Sequence, residues 1–458
     1  MKARSYSSIL ITTLLALAIP VPGTAAQKHH HYKLVDLGTF GGPTAYPAAP
    51  LTYDSINGPG LQLINNSGVV SSFADTAMPD PNAPTFCFNP DCFLSHAFHW
   101  QDGVLTDIGA LPGANSSASG PINARGWSVG QSQNGVMDPL LGTPEIRATL
   151  WKDGRIVDLG TLGGNESFAT SLNNEGIVVG AAANTIPDPL SMFGFGTQTR
   201  AFLWENGVMH DLGTLGGPDA VAIAVNERGQ VVGYSHTNAT PNPVTGVPTT
   251  DPFLWDHGTM IDLGTLGGTD AAVGPFAPTL VINNRGQVAG TSNLTGDVNF
   301  HAFLWDRGTL LDLGTLGGHF STAYWINDAG EVVGGATTPG DPCCGHAALW
   351  KKGKITDLGS LDSDCLSRAE AINTKGQIVG QSFSCDTGIA RAVLWEKGAI
   401  IDLNTLVPAN TNLFLADAFN VNNRGEILCQ CLPPGVNSQN SDVGGHDCLL
   451  IPSGKDDE

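Results

Sequence analysis

The chain has 458 residues, of which 58 are glycine and 14% are charged, and its formal net charge at pH 7 is −21. Soluble domains usually carry about a quarter charged residues, so this composition, without a long helical pattern, is typical of an all-β protein rich in tight turns. The negative charge repels phosphate backbones and anionic lipid headgroups, which argues against nucleic-acid or membrane-surface binding.

Residues 1–26 have the order of a secretory signal peptide. Lys2 and Arg4 precede an apolar run, and small residues follow it up to Ala26. Because the apolar run is too short to span a bilayer, we expect cleavage near Ala26 and a secreted protein without membrane insertion. Residues 27–31 then form a short leader with three consecutive histidines, which we interpret as a frayed terminus.

From residue 32 onward the chain consists of repeats. The first anchor of the repeat is a Trp followed three residues later by Gly and seven residues later by Asp. The seven complete copies start at Trp100, Trp151, Trp204, Trp255, Trp305, Trp350 and Trp395. Their acids are Asp107, Asp158, Asp211, Asp262, Asp312, Asp357 and Asp402, and Asp36 is an eighth copy that no Trp strand precedes.

A second anchor is an aliphatic residue followed by Asn-x-x-Gly, and it occurs eight times. Both anchors are typical of hairpin turns in which glycine adopts a positive φ. Since β-rich segments flank both, each unit holds two hairpins, or four strands, in about 50 residues, which is the size of a propeller blade. The Asn residues are Asn65, Asn123, Asn173, Asn226, Asn283, Asn327, Asn373 and Asn422.

The two ends of the repeat region complete one split hairpin. Residues 32–37 supply an Asp-type strand without its Trp-type partner, and residues 446–452 supply that partner. Because a closed ring removes exposed strand edges, the sequence predicts one closed β-propeller of eight four-stranded blades over residues 32–454. Residues 455–458 remain as an acidic tail.

The repeated Trp has two interpretations. A fixed position in every unit is typical of a core residue between blades, and strands that are apolar on both sides fit sheets covered by their neighbours. The alternative is an exposed ring that stacks on carbohydrate. We favour the core.

The pattern HAF.W..G...DLG.LGG resembles the signature of the HAF-repeat family of extracellular bacterial proteins, and the resemblance spans almost all of residues 32–454. It implies secretion and a repeated β architecture, and it carries no activity with it. His occupies the first position of the pattern at His96, His301, His346 and His446, whereas Arg147, Arg200, Arg391 and Asp251 occupy it in other copies. A position whose charge changes sign between units is not a ring of metal ligands.

The Asp of the DLG segment is the most regular candidate for a metal ligand. A calcium site needs several converging oxygens, however, and the motif offers one. We therefore expect each Asp to accept backbone hydrogen bonds in the turn that follows it, and we predict neither a metal nor a cofactor. A less regular set of acids, Glu166, Asp219 and Asp270, either lines one mouth of the ring or consists of solvated loop charges.

Proline-rich insertions make one connector in each unit the most variable segment. Equivalent connectors of a propeller emerge on the same face, and variable loops on a constant frame usually carry recognition. In one of them we expect Phe193 and Phe195 to be exposed and to contact a ligand. Glu166, Asp219 and Asp270 are the further ligand-binding candidates.

Nine cysteines are disulfide candidates if the chain is exported. Cys365 and Cys385 lie equidistant from one hairpin turn, so the register predicts that they face each other at disulfide spacing. Cys87 and Cys92 are expected to close a small loop. The sequence leaves open the pairing of Cys343, Cys344, Cys429, Cys431 and Cys448.

Two function classes remain, because no signature of a catalytic serine, zinc protease or nucleotide-binding loop is present. The first is a secreted, monomeric, non-enzymatic scaffold that binds an extracellular protein or glycan through one loop face. The second is a secreted propeller enzyme, a glycosidase or lyase acting on polysaccharide. An enzyme needs titratable residues that are unique to single blades and close in space. The acids of this sequence are mainly repeated ones, which favours binding.

Overall fold

The computed structural model describes residues 31–46, 60–113, 116–243, 246–269, 279–340, 345–362, 364–433 and 445–453. In these ranges the chain forms 32 strands, arranged as eight four-stranded antiparallel sheets that pack side by side in a ring. The protein is an eight-bladed β-propeller, which confirms the predicted fold class. The predicted signal peptide, most of the predicted leader and the acidic tail lie outside the described residues.

The strands of each blade, from the central channel outward, are named A to D. Blade 1 contains β2 (Gly41–Tyr46), β3 (Val70–Pro79), β4 (Phe93–Gln101) and β5 (Val104–Asp107), and blade 2 contains β6 (Ser117–Ile122), β7 (Ser128–Met137), β8 (Pro144–Lys152) and β9 (Arg155–Asp158). Blade 3 contains β10 (Ser167–Leu172), β11 (Val178–Pro187), β12 (Thr197–Glu205) and β13 (Val208–Asp211), and blade 4 contains β14 (Ala220–Val225), β15 (Val231–Pro241), β16 (Pro248–Asp256) and β17 (Thr259–Asp262).

The second half of the ring has shorter B strands. Blade 5 contains β18 (Leu280–Ile282), β19 (Val288–Asn293), β20 (Phe300–Asp306) and β21 (Thr309–Asp312), and blade 6 contains β22 (Ser321–Ile326), β23 (Val332–Ala336), β24 (His346–Lys351) and β25 (Lys354–Asp357). Blade 7 contains β26 (Leu366–Ile372), β27 (Ile378–Phe383), β28 (Ala390–Glu396) and β29 (Ala399–Asp402). A 3-10 turn, Leu403–Thr405, leads into β30 (Phe414–Val421), β31 (Ile427–Leu432) and β32 (His446–Pro452). Among the described residues no helix is long and apolar enough to cross a membrane.

The two ends of the described chain close the ring within one blade. Strand β1 (Tyr32–Asp36) pairs antiparallel with β32, so that Tyr32 lies opposite Pro452 and Asp36 opposite Cys448. Blade 8 therefore has the order β30, β31, β32, β1 from the channel outward. This confirms the predicted closure, in which the N-terminal strand supplies the outermost strand of the last blade.

The alternating strand direction gives the ring two different faces. The A-to-B turns, with the Asn-x-x-Gly motif, and the C-to-D turns, with the Trp-x-x-Gly motif, lie on one face, which we call the turn face. The B-to-C connectors and the D-to-A crossovers lie on the opposite face, which we call the connector face. The proline-rich insertions therefore share the connector face with the segments after each DLG motif.

The Asn-x-x-Gly turn of each unit is built around its Asn side chain. In blade 3, Asn173 Oδ1 accepts from the backbone N–H groups of Glu175 (3.1 Å) and Ile177 (3.0 Å), which fixes the turn. The Asn173 Nδ2 group then donates to the carbonyl oxygen of Asn226 in the next blade at 3.1 Å. One side chain thus shapes its own turn and joins it to the neighbouring blade.

This inter-blade bond repeats around the ring, and we call the set the asparagine belt. Its donor–acceptor pairs are Asn65–Asn123, Asn123–Asn173, Asn173–Asn226, Asn226–Asn283, Asn283–Asn327, Asn373–Asn422 and Asn422–Asn65, at 3.0–3.1 Å. In the remaining copy the amide of Asn327 donates to Glu331 in its own blade. Since Asn422 binds Asn65, the belt also joins the last blade to the first.

The repeated Trp side chains pack between neighbouring blades. The buried ones are Trp100, Trp151, Trp305, Trp350 and Trp395, and the half-buried ones are Trp204 and Trp255. The indole N–H of Trp350 donates to the Leu313 carbonyl of the preceding blade (2.9 Å), and that of Trp395 to the Leu358 carbonyl (2.9 Å). The rings of these two Trp residues therefore meet the segment that follows the outer strand of the preceding blade.

The Asp of the DLG segment ends strand D in all eight units. Its Oδ1 atom accepts from the backbone N–H two residues later, at 2.7–2.9 Å in every copy. In several copies the carboxylate also contacts a side chain on the neighbouring strand C, which is His96, Arg200, His301, His346 or His446. The repeated Asp and the variable first residue of the pattern are thus neighbours in the fold.

Removing residues 446–458 takes away β32 and leaves the edges of both β31 and β1 unpaired. We expect this truncation to lower the thermal unfolding temperature of the whole domain in one cooperative transition, because it opens the ring. Circular dichroism melting measures the effect, with removal of residues 455–458 alone as the control. An unchanged melting curve for the longer truncation would contradict closure through this strand.

Asn173→Asp keeps the oxygen that fixes the turn and replaces the donor to the Asn226 carbonyl with a second acceptor. We expect it to lower the free energy of unfolding by about 1–3 kcal/mol, the usual cost of an unmade buried hydrogen bond. The matched control is Asn184→Asp in the same blade, where the amide donates to the partly buried side chain of Gln198. Chemical denaturation compares the two, and equal effects would mean that the belt adds no stability of its own.

Candidate functional site

The two described acids of the less regular set are buried. Glu166 is 3% exposed, and its Oε2 atom accepts from the Ile146 backbone N–H at 2.7 Å. Burial, together with the nearby carboxylate of Asp138, raises the pKa of Glu166 to about 8. Asp219 is fully buried and accepts from the backbone N–H groups of Met192 and Thr199, and burial raises its pKa to about 6.

The expectation that these acids line a mouth of the ring or are solvated is therefore wrong for Glu166 and Asp219. Glu166 binds the backbone of strand C in the preceding blade, whereas Asp219 binds strand C of its preceding blade at Thr199 and the B-to-C connector at Met192. Asp270, the third candidate, lies outside the described residues.

The aromatic residues chosen as contact candidates turn inward. Phe195 is 8% exposed and Phe193 is half-buried, and both rings pack on Phe168 with ring centroids 6.3 and 4.9 Å away. The expected exposure is wrong for Phe195 and only partly correct for Phe193. The reason is that Asp219 holds the backbone of Met192 and draws the connector onto the core cluster of blades 3 and 4.

A cavity of about 260 Å³ lies at the inner edge of the connector face, where blades 5, 6 and 7 meet. We call it the aromatic pocket and define it by its walls and its floor. The walls are Phe300, Phe320, Leu366 and Phe383, and the floor, deeper along the A strands, is Tyr324, Arg368 and Gln381. All four wall residues are partly exposed.

The walls arise from departures from the repeat. Phe320 and Leu366 each precede the first Ser of strand A, a position occupied by Ser116 and Glu166 in blades 2 and 3. There the polar side chain accepts from the strand C backbone of the preceding blade. In blades 6 and 7 the side chain at this position is apolar and cannot accept that hydrogen bond. It borders a cavity instead.

The floor contains a charged group held by two buried acids. Arg368 Nη2 lies 2.8 Å from Asp417 Oδ2, and Arg368 Nε pairs with Glu370 Oε1. The side chains of both acids are 3% exposed, whereas that of Arg368 is 47% exposed. Burial raises the pKa of Glu370, although Arg368 opposes the shift. The two acids thus fix Arg368 with its outer edge toward the pocket.

The described residues contain three disulfides, and one of them borders this pocket. Cys365 and Cys385 are bonded, as are Cys87 and Cys92, which are the pairs that the sequence predicts. Cys431 and Cys448 form a third bond, which the sequence left open, and Cys429 is a buried free thiol. Cys343 and Cys344 lie outside the described residues. Leu366 and Phe383 pair across the hairpin beside the Cys365–Cys385 bond, so that bond fixes one wall of the aromatic pocket.

The channel holds a second cavity, of about 410 Å³, at the turn face. Residues 60–62, which follow strand A of blade 1, line this cavity and reach across the channel. The Leu61 carbonyl accepts from Asn420 at 2.7 Å, and a Cβ at Gly60 would lie 2.9 Å from Val281 Cγ1 and 3.1 Å from the Tyr324 carbonyl. Because Gly60 has φ +108° and meets blades 5 and 6, glycine is required there.

Sequence reasoning missed the aromatic pocket and its Arg368 pair, although it had a usable signal. Each wall residue breaks the repeat at its position. In blade 5, for example, the residue five positions before Trp is Phe300, whereas blades 1 and 3 have Ser95 and Thr199 at that position. Within the described ranges no group of three or more His, Cys, Asp or Glu side chains is arranged to hold a metal ion. The site offers aromatic surface, one oriented guanidinium and an amide, which suits binding.

Buried carboxyl groups make the stability of the fold depend on pH. Burial raises the pKa of Glu166 to about 8 and of Asp447 to about 7, and it raises the pKa of Asp75 well above its ordinary value. The folded state then holds more protons than the unfolded state at neutral pH, so the free energy of unfolding falls as pH rises from about 6.5 to 9. Denaturant titrations across this range measure the slope.

Glu166→Gln removes one of these titrating groups and should make the slope shallower. The control is Glu175→Gln in the same blade, because that side chain is 72% exposed. A slope that stays the same in the Glu166 variant, or stability that rises toward pH 9, would contradict the assignment.

No protein-family model and no curated protein matches the sequence. Among solved structures, the chain is similar to the β-propeller domain of the Trilobed protease from Pyrococcus furiosus, with 8% identity over 74% of this chain and 93% of that chain and a TM-score of 0.42. It is also similar to a gluconolactonase from Xanthomonas campestris, with 12% identity, coverage of 72% and 83%, and a TM-score of 0.29.

Proposed function

We propose that the protein is a secreted, non-enzymatic β-propeller that binds an extracellular glycan or protein through its connector face, with the aromatic pocket as the contact site. The carrying observation is the position of this pocket. Its four apolar walls are partly exposed at the inner edge of the connector face, and each departs from the repeat. Concave sites with apolar walls and a few polar groups are the usual form of a ligand site.

Three disulfides in the described chain and the absence of a membrane-spanning helix there are consistent with an extracellular protein. The sequence of residues 1–26 supports export through a cleaved signal. The repeated Trp, Asn and Asp side chains form contacts between or within blades, so their role is to stabilise the ring.

The test is a binding screen of the mature chain on a glycan array and against extracellular proteins. Phe320→Ala and Phe383→Ala should each weaken binding of the captured ligand about tenfold or more, because each removes an aromatic wall. Met78→Ala is the matched control, since Met78 is an apolar side chain, 60% exposed, on the B strand of blade 1 near the same face. Binding that persists in both Phe variants, or that is lost in the control, would contradict the proposed site.

A secreted glycosidase or lyase is the second candidate, favoured by one observation. Arg368, Glu370 and Asp417 are titratable residues unique to single blades that converge at the channel. Glu370 and Asp417 are each 2% exposed, however, and an acid or base catalyst has to reach the substrate. Turnover of a polysaccharide by the mature chain that is abolished in Glu370→Gln would favour the enzyme over the binding protein.

A further inference from the structure

The size of the aromatic pocket limits what it can hold. Its volume of about 260 Å³ lies just below the range of about 300–1,000 Å³ that is usual for small-molecule sites. The walls come from two sides, with Phe300 and Phe320 on one and Leu366 and Phe383 on the other. The pocket therefore has room for one ring-sized group between two apolar surfaces.

The walls require a ligand with an apolar face. The rings of Phe300 and Phe320 are 4.7 Å apart between centroids, with an angle of 32° between their planes. Phenylalanine carries no polar atom, and the negative face of its ring attracts the weakly positive hydrogens of C–H groups. A ligand that presents C–H groups to these rings is favoured over one that presents hydroxyls to them.

The floor requires hydrogen-bonding groups at the edge of the ligand. Arg368 uses Nε and Nη2 for its two buried acids, and a guanidinium has five N–H donors in a fixed plane. Its orientation is thus set before a ligand arrives. The amide of Gln381, on the neighbouring strand of blade 7, adds both a donor and an acceptor to the same floor.

The charges disfavour both anions and cations. Arg368 is matched by the two carboxylates of Glu370 and Asp417, so the floor has no excess positive charge for an anion. The chain as a whole carries a formal net charge of −21, which repels acidic ligands. A cation would meet the Arg368 guanidinium directly, because that side chain is the half-exposed member of the group.

We propose that the aromatic pocket binds one neutral hexopyranose ring, either as a free sugar or as the terminal residue of a glycan; this rests on the proposed function. A pyranose has C–H groups on its faces and hydroxyls around its edge. The faces fit between the Phe walls, and the edge hydroxyls accept from Arg368 and exchange hydrogen bonds with Gln381. The Cys365–Cys385 disulfide holds Leu366 and Phe383 at a fixed spacing, which reduces the entropy lost on binding.

The experiment is isothermal titration of the mature chain with the methyl glycosides of glucose, galactose and mannose, with glucuronate, and with N-acetylphenylalanine amide. We expect at least one neutral glycoside to bind and glucuronate to bind more weakly by about tenfold or more. Phe320→Leu keeps an apolar side chain but removes the flat ring, and should weaken sugar binding about tenfold, whereas Met78→Ala should not change it. Thermal melting of each variant reports whether it is folded.

Oligosaccharides that end in the preferred sugar distinguish a free sugar from a glycan terminus, according to which of the two binds more tightly. Sugar binding that is equal in the wild type and in folded Phe320→Leu, or tighter binding of glucuronate, would overturn the inference. The absence of binding by all three glycosides would also overturn it. If the peptide analogue binds instead and Phe320→Leu abolishes that binding, the neutral-sugar inference fails while the proposed binding function stands.

Discussion

The hydrogen bonds from Asn side-chain amides to the backbone of the next Asn turn are the interaction on which the ring depends. Each blade is a separate four-stranded sheet, and few backbone hydrogen bonds join adjacent blades, such as that from Ile122 N–H to the Gln62 carbonyl and that from Ser367 N–H to the Gly345 carbonyl. The asparagine belt supplies directional bonds between blades at the turn face, and its step from Asn422 to Asn65 spans the closure. Buried in a region of low dielectric, such bonds are costly to leave unmade and therefore fix the geometry of neighbouring turns.

The position of the asparagine belt at the turn face explains why the two faces of the ring differ. The turn face has nearly the same short turns in every blade, because an Asn that both shapes its turn and binds the next one tolerates little change. The connector face is freed from that constraint. Its connectors vary in length, and the buried acid Asp219 attaches the connector of blade 3 to the frame by accepting from the Met192 backbone N–H.

The aromatic pocket follows from the same logic. At the position before strand A, a polar side chain closes the gap to the preceding blade in blades 2 and 3. Phe320 and Leu366 cannot make that bond, and the gap becomes a cavity with apolar walls. The Arg368 guanidinium in its floor is tolerated because Glu370 and Asp417 compensate its charge, and breaking such a pair would leave a buried charge unmatched.

The eight blades, their four strands and the closure of the ring could be predicted from the sequence, because these depend on local turn chemistry and on the spacing between repeats. Hairpin register was also enough to predict the bond between Cys365 and Cys385. The tertiary structure alone decided which side chains are exposed. The inward turn of Phe195 and the burial of Glu166 depend on contacts with the next blade, which periodicity does not encode. The walls of the aromatic pocket come from positions as distant as Phe300 and Phe383, and the sequence marks each as a departure from the repeat without indicating that they meet. Only packing between blades determines which departures share a cavity.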